Sequence, residues 1–125
     1  MNFPEDLKYT KDHEWVKLDG NVATIGITDF AQDELGEVVF VELPEIGSEF
    51  NKADSICVVE STKAASDVYA PIGGKVIEVN SNLADSPELI NSSPYSDAWL
   101  VKLENPNLED LEKLMSVEEY KNHVS

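Results

Sequence analysis

The order of apolar and polar residues along the chain predicts a series of short β-strands separated by turns. Asp19-Gly20 lies between the runs His13–Leu18 and Asn21–Ile27, and Asp-Gly between two such runs is a strong hairpin signal. Similar runs, rich in β-favouring residues and bounded by turn residues, recur along the chain. They cover Glu37–Leu43, Ser55–Glu60, Ser66–Ala70, Lys75–Asn80 and Ala98–Glu104.

One short helix is expected within this series of strands. Thr28 is a suitable N-cap residue, and Gly36 directly follows Leu35, where the helix should end. The segment Asn91–Pro94 consists of residues that favour turns, so we expect it to form a loop.

The C-terminal segment changes from strand-like to helical spacing of its apolar residues. The residues at helical spacing are Leu108, Leu111, Leu114 and Met115. Ser116 and Glu119 have the spacing of a capping box, which predicts a last short helix over Val117–His123.

Together these elements predict a single domain over residues 1–125, with a core over about 7–104 and a helical tail over about 107–123. The expected fold class is mainly β, with α+β character at the periphery. We expect a flattened β-barrel/sandwich hybrid of short antiparallel strands with one short internal helix and C-terminal helices.

The charge of the chain restricts its partners. It has 25 acidic residues against 9 basic ones, a net charge of −16, and every basic residue is lysine. Arginine is the residue best suited to phosphate and guanine, so nucleic acid is not an expected partner. An anionic membrane surface would repel the chain, and no apolar run approaches the ~20 residues that span a bilayer.

The single cysteine indicates a reducing compartment, because Cys57 has no partner for an internal disulfide. It lies within an apolar run, which favours a buried structural role. No signal peptide is visible at the N-terminus. We therefore expect a cytoplasmic protein, or a protein of the mitochondrial matrix if this is a mature organellar form.

The chain contains no complete motif of a stand-alone enzyme. His13-Glu14-Trp15-Val16-Lys17 begins like a zinc-protease motif, but the position that requires a second histidine holds Lys17. The other histidine, His123, and the single Cys57 are not expected to form a ligand cluster with His13, so no metal site is expected. No catalytic residue is expected either.

The most informative residue is Lys63, which stands in a short polar turn between two β-favouring runs. It is the only cationic residue between Lys52 and Lys75, and the turn is bounded by Glu60 and Asp67. A lysine in a turn is most often a solvated surface group. The isolation of this amine at a predicted hairpin tip instead indicates a site of covalent modification.

The segment Glu60-Ser61-Thr62-Lys63-Ala64 resembles the lipoyl-lysine hairpin of lipoyl domains, with Glu60, Ser61, Thr62 and Ala64 as the residues that a modifying enzyme would read. Biotin carriers have Met on both sides of the lysine, which Thr62 and Ala64 do not match. From about Leu7 to Leu103 the chain also resembles the H proteins of the glycine cleavage system. The matching segments are His13–Trp15, Gly26–Gln32, Leu35-Gly36, Val41–Pro44, Asn91–Tyr95 and Trp99.

This resemblance implies a non-catalytic carrier with lipoic acid amide-linked to Lys63. In that family the arm takes the methylamine group of glycine from a pyridoxal-phosphate glycine decarboxylase. A tetrahydrofolate-dependent aminomethyltransferase then receives the one-carbon unit, and dihydrolipoyl dehydrogenase reoxidises the dithiol. A lipoate ligase or a lipoyl/octanoyl transferase would modify the lysine. Two alternatives remain: a lipoyl donor to 2-oxoacid dehydrogenase subunits, and an unmodified interaction module.

The loaded arm is expected to fold back onto the protein. Glu14 and Asp67, with Asp12 as a further candidate, would receive its amine, although each could equally be a solvated charge. Trp15 and Trp99 are expected to be structural. Ala98 stands where the family usually has glycine, so we expect a relaxed turn there, and Thr62 replaces a common valine.

Overall fold

The computed structural model describes all residues, 1–125. Its strands are β1 Lys8–Tyr9, β2 Glu14–Asp19, β3 Val22–Ile27, β4 Val38–Glu42, β5 Glu49–Phe50, β6 Ser55–Ser61, β7 Ala65–Tyr69, β8 Gly74–Val79 and β9 Val101–Glu104. Its helices are α1 Asp29–Leu35, α2 Asn82–Asp85, α3 Leu89–Ser92, α4 Leu108–Glu112 and α5 Val117–Val124.

The strands form two antiparallel sheets, which confirms the expected sandwich-like fold. The larger sheet has the order β1-β2-β3-β9-β8-β5, and the smaller has the order β4-β6-β7. A cluster of 19 buried side chains fills the core, with Ile25, Val59 and Leu103 fully buried in it. The sheets do not close into a complete barrel.

The hairpin of β2 and β3 turns one residue later than the sequence predicts. Asp19 pairs with Val22, which leaves Gly20 and Asn21 as the two-residue loop. Gly20 has a φ of +62°, a value that glycine reaches without steric cost. Glycine at the first loop position is typical of a type II′ hairpin turn.

The expectation of a loop at Asn91–Pro94 is wrong for Asn91 and Ser92 and holds for Ser93 and Pro94, and one internal helix is too few. Helix α3 covers Leu89–Ser92, and α2 precedes it. Neither helix has a side-chain cap, so the usual sequence signal for a helix start is missing. Asn91 fixes the position of α3, because its amide donates to the carbonyl of Gly36 at 2.8 Å and accepts from the N–H of Val38 at 2.9 Å.

The C-terminal strand is shorter than predicted and begins at Val101 rather than Ala98. Ala98 is buried, its N–H donates to the carbonyl of Ser93, and its φ is not positive, as expected of a relaxed turn. The amide of buried Asn80 donates to the carbonyls of Asp97 and Trp99, both at 2.8 Å. These bonds, together with the donation from the N–H of Leu100 to the carbonyl of Ile25 at 2.8 Å, hold the segment in place.

A second, smaller core attaches the C-terminal helix to β1. It consists of Leu7, Tyr9, Trp15, Val117 and Tyr120. The rings of Tyr9 and Tyr120 stack with their centroids 4.7 Å apart. Helix α5 begins with the predicted capping box of Ser116 and Glu119. No helix of the protein combines the length and apolar character needed to cross a membrane.

Candidate modification site

Lys63 lies at the tip of the hairpin formed by β6 and β7. The hydroxyl of Ser61 accepts from the N–H groups of Lys63 at 3.1 Å and Ala64 at 3.2 Å. The N–H of Thr62 donates to the carbonyl of Glu37 at 3.0 Å, which ties the tip to the chain before β4. The backbone of the tip is therefore fixed, whereas Thr62, Lys63 and Ala64 are exposed.

The side chain of Lys63 lies over the C-terminal end of α1. A Cβ atom at Gly36 would stand 3.2 Å from the Cε atom of Lys63, and Gly36 has a φ of +79°. The N–H of Gly36 donates to the carbonyl of Gln32 and ends the helix. The positive φ favours glycine at this turn, and its lack of a side chain leaves room beside the lysine.

A cavity of about 180 Å³ lies beside this hairpin, and we call it the arm cavity. Its apolar wall consists of Ile27, Ala31, Leu35, Val59 and Val68. The three carboxylates expected from the sequence, Asp12, Glu14 and Asp67, all line it. They come from two separate parts of the chain, which the fold brings together at one site.

Glu14 is the buried carboxyl group of this cavity. Its side chain is 2% exposed, and the hydroxyl of Thr10 donates to its Oε1 atom at 2.6 Å. Burial raises the pKa of Glu14 to about 7, and hydrogen bonds from Thr10 and from the backbone of Tyr69 oppose this rise. Glu14 can therefore change its charge near neutral pH, which the sequence did not indicate.

Asp67 and Asp12 lie at the rim of the arm cavity rather than in its wall. Asp67 alternates with buried Val68 along β7 and is exposed, and its Oδ1 atom accepts from the hydroxyl of Ser55 at 2.8 Å. Asp12 is exposed as well. The structure thus brings all three carboxylates to one cavity, with only Glu14 desolvated.

Glu34 and His13 also line the arm cavity, and neither was expected there from the sequence. Glu34 lines the cavity from α1, and its spacing from Ala31 places the two on one helix face, a signal that the sequence contained. His13 has a φ of +71°, and its Nδ1 atom lies 2.8 Å from the hydroxyl of Tyr120. Burial and, to a lesser extent, His123 lower the pKa of His13. A neutral imidazole thus forms part of the cavity wall.

The two tryptophans differ in their surroundings. Trp15 is 1% exposed, and its indole N–H donates to the carbonyl of Pro94 at 3.0 Å, as expected for a structural residue. Trp99 is only partly buried, and the Nζ atom of Lys102 lies 4.7 Å from its ring centroid. Trp15 thus has the burial expected of a structural residue, and Trp99 has it only in part.

A rigid hairpin that presents one free lysine beside a cavity with an apolar wall and several carboxylates is the arrangement of a small β carrier domain. The family model described as glycine cleavage H-protein matches residues 7–125. The chain belongs to this family.

Relatives that align with almost the whole chain are glycine cleavage system H proteins as well. The glycine cleavage system H protein of Halothermothrix orenii is 53% identical over 124 residues, which cover 99% of this chain and 97% of the relative. That of Carboxydothermus hydrogenoformans is 55% identical over 117 residues, covering 94% and 90%. The crystal structure of the H protein from Mycobacterium marinum superposes with a TM-score of 0.86 at 36% identity, covering 96% of this chain and 97% of that one.

Proposed function

We propose that this chain is the lipoyl-bearing shuttle of a glycine cleavage system, with the lipoyl group amide-linked to Lys63. The observation that carries the assignment of the lysine is its position, since Lys63 is the exposed amine at a fixed hairpin tip beside the arm cavity. The cargo is the methylamine group of glycine. The lipoyl group, when bound, would supply a disulfide: one sulfur would take up this cargo as the S–S bond breaks, and transfer of the cargo would leave a dithiol to be reoxidised.

The surroundings of Lys63 suit such a modification. No carboxylate oxygen lies within 4 Å of its amine. The one ion pair of the protein joins Lys102 and Glu78, at 3.7 Å. Amide formation neutralises the amine and takes the net charge from −16 to −17. An arm of roughly a dozen bonds of ~1.5 Å reaches somewhat more than ~10 Å from the backbone. That length suits an arm that must enter the active sites of other enzymes.

The arm cavity offers a shelter for the loaded arm. Contact with its apolar wall stabilises each buried methylene by ~0.8 kcal/mol, whereas an exposed ion pair adds at most ~1 kcal/mol. Glu14 can stay neutral while the cavity is empty, because burial raises its pKa to about 7. A cationic amine nearby lowers that pKa and favours the ionised carboxylate. Glu14 is therefore the residue best placed to receive the amine, and Asp67 and Asp12 reinforce it from the rim.

The partners in this role are the other enzymes of the system. They are the pyridoxal-phosphate glycine decarboxylase, the tetrahydrofolate-dependent aminomethyltransferase and dihydrolipoyl dehydrogenase. A lipoate ligase or a lipoyl/octanoyl transferase attaches the arm. Each would approach from the side of the hairpin, because the arm must leave its cavity there.

The function is tested by combining the lipoylated protein with a glycine decarboxylase and an aminomethyltransferase of the family. We expect folate-dependent release of ammonia from glycine with the wild type and none with Lys63→Arg. Normal ammonia release with Lys63→Arg would contradict the proposal.

The shelter is tested by the decay of the methylamine-loaded protein without partner enzymes. We expect Glu14→Gln to speed this decay severalfold and Asp67→Asn to speed it less. Asp85→Asn, an exposed carboxylate on α2, is the control. Equal decay in all these proteins would show that the carboxylates do not protect the cargo.

A further inference from the structure

A second and larger cavity, of about 410 Å³, is also lined by Glu14. Three lysines from separate parts of the chain line it: Lys11 before β2, Lys52 between β5 and β6, and Lys113 at the end of α4. We call it the lysine cavity. It thus gathers three of the nine cationic residues of a chain with a net charge of −16.

These three lysines have no partner within the protein. None of them has a carboxylate oxygen within 4 Å, although the chain has 25 acidic residues. All three are exposed, so their amines are free to turn toward a ligand. Three unpaired amines that line one cavity can place positive charge next to a bound anion.

The remaining wall of the lysine cavity is largely apolar. Tyr69, Ala70, Pro71, Leu114 and Met115 line it. Its volume lies within the range of about 300–1,000 Å³ that is usual for small-molecule sites. A cavity with an apolar wall and a cationic rim suits a molecule that has an apolar body and an anionic group.

The acidic residues of the lysine cavity do not cancel its charge. Asp12 is the one exposed carboxylate that lines it, against three lysines. Glu14 also lines it but is buried and accepts a hydrogen bond from Thr10. Burial raises the pKa of Glu14 to about 7, so near neutral pH this group does not add a full negative charge.

We propose that the lysine cavity binds a small organic anion, with its carboxylate or phosphate group between Lys11, Lys52 and Lys113 and its apolar body against Pro71, Leu114 and Met115. The site is separate from the arm cavity, with which it shares only Asp12 and Glu14. Binding does not require a modified Lys63. The proposal therefore stands or falls independently of the shuttle function.

The test is titration of the ¹⁵N-labelled protein with 4-phenylbutyrate, followed by amide chemical shifts. We expect saturable shifts at Thr10, Ala53 and Met115. The uncharged analogue 4-phenylbutan-1-ol should bind at least tenfold more weakly, which corresponds to about 1.4 kcal/mol. Inorganic phosphate, which lacks an apolar body, should also bind more weakly than 4-phenylbutyrate.

Two triple variants separate the lysine cavity from the general charge of the protein. Lys11→Gln/Lys52→Gln/Lys113→Gln should weaken 4-phenylbutyrate at least tenfold. The control has the same net charge, because it replaces three exposed lysines elsewhere: Lys17→Gln/Lys75→Gln/Lys121→Gln. It should bind like the wild type.

The proposal is wrong if the alcohol binds as well as the acid, since the site is then merely apolar. It is also wrong if phosphate binds as tightly as 4-phenylbutyrate, or if both triple variants weaken binding equally. Shifts that never saturate, or that map away from these residues, would overturn it as well.

Discussion

Glu14 lines both cavities, and its replacement by glutamine measures what its burial costs the fold. Burial raises the pKa of Glu14 from 4.5 to about 7 in the folded protein, and unfolding returns it to its ordinary value. The folded state therefore holds a proton on this group over a pH range in which the unfolded chain does not. The contribution of Glu14 to stability is complete below about pH 4.5 and is lost as the pH rises through about 7.

The size of this loss follows from the shift in pKa. At about 1.36 kcal/mol per pKa unit, a rise from 4.5 to about 7 corresponds to roughly 3 kcal/mol above pH 7. Glutamine keeps the shape of the side chain and an oxygen that can accept from the hydroxyl of Thr10, but it does not ionise. We expect Glu14→Gln to match the wild type near pH ~4 and to be about 3 kcal/mol more stable near pH ~8.

The assay is urea denaturation at both pH values, followed by tryptophan fluorescence. Other titrating groups, including His13, are common to both proteins, so the difference between them isolates Glu14. Glu45→Gln, at an exposed position, is the matched control for the loss of one carboxylate. A stability difference for Glu14→Gln that is the same at both pH values would refute the reasoning.

Two further predictions concern Trp15 and its neighbours. Trp15→Ala should lower the free energy of unfolding by about 3–5 kcal/mol, and Trp99→Ala, at a half-buried position, by less than ~2 kcal/mol, as urea denaturation would show. Equal losses of unfolding free energy in the two variants would mean that burial of the ring does not determine how much each substitution destabilises the protein. Gly26→Ala should destabilise the protein by about 1–3 kcal/mol, because its Cβ would lie 2.5 Å from the indole ring of Trp15. A melting temperature equal to that of the wild type would show that the ring can move aside.

The features that the sequence predicted well are those determined by near neighbours along the chain. The hydroxyl of Thr28 accepts from the N–H of Ala31 at 3.2 Å, as expected of an N-cap. The capping box of α5 and the turn that presents Lys63 follow equally from residues a few positions apart. Such signals survive folding because their hydrogen-bond partners are already close.

The features that the sequence did not indicate depend on contacts between distant parts of the chain. Helix α3 is fixed by Asn91, whose amide reaches Gly36, and not by a local cap. The burial of Glu14 requires β7 beside β2, and the three lysines of the lysine cavity come from separate elements. No local sequence pattern shows which distant side chains will come into contact. The raised pKa of Glu14 and the second cavity could therefore be found only from the structure.

We propose that Lys63 alone carries the lipoyl arm. This assignment is tested most directly by incubating the unmodified protein with a lipoate ligase, lipoic acid and ATP, followed by intact-mass measurement and peptide mapping. We predict the mass increment of one lipoyl amide on the wild type, located at Lys63, and none on Lys63→Arg with an unchanged melting temperature. A lipoyl increment on folded Lys63→Arg, or at any other lysine of the wild type, would contradict the account.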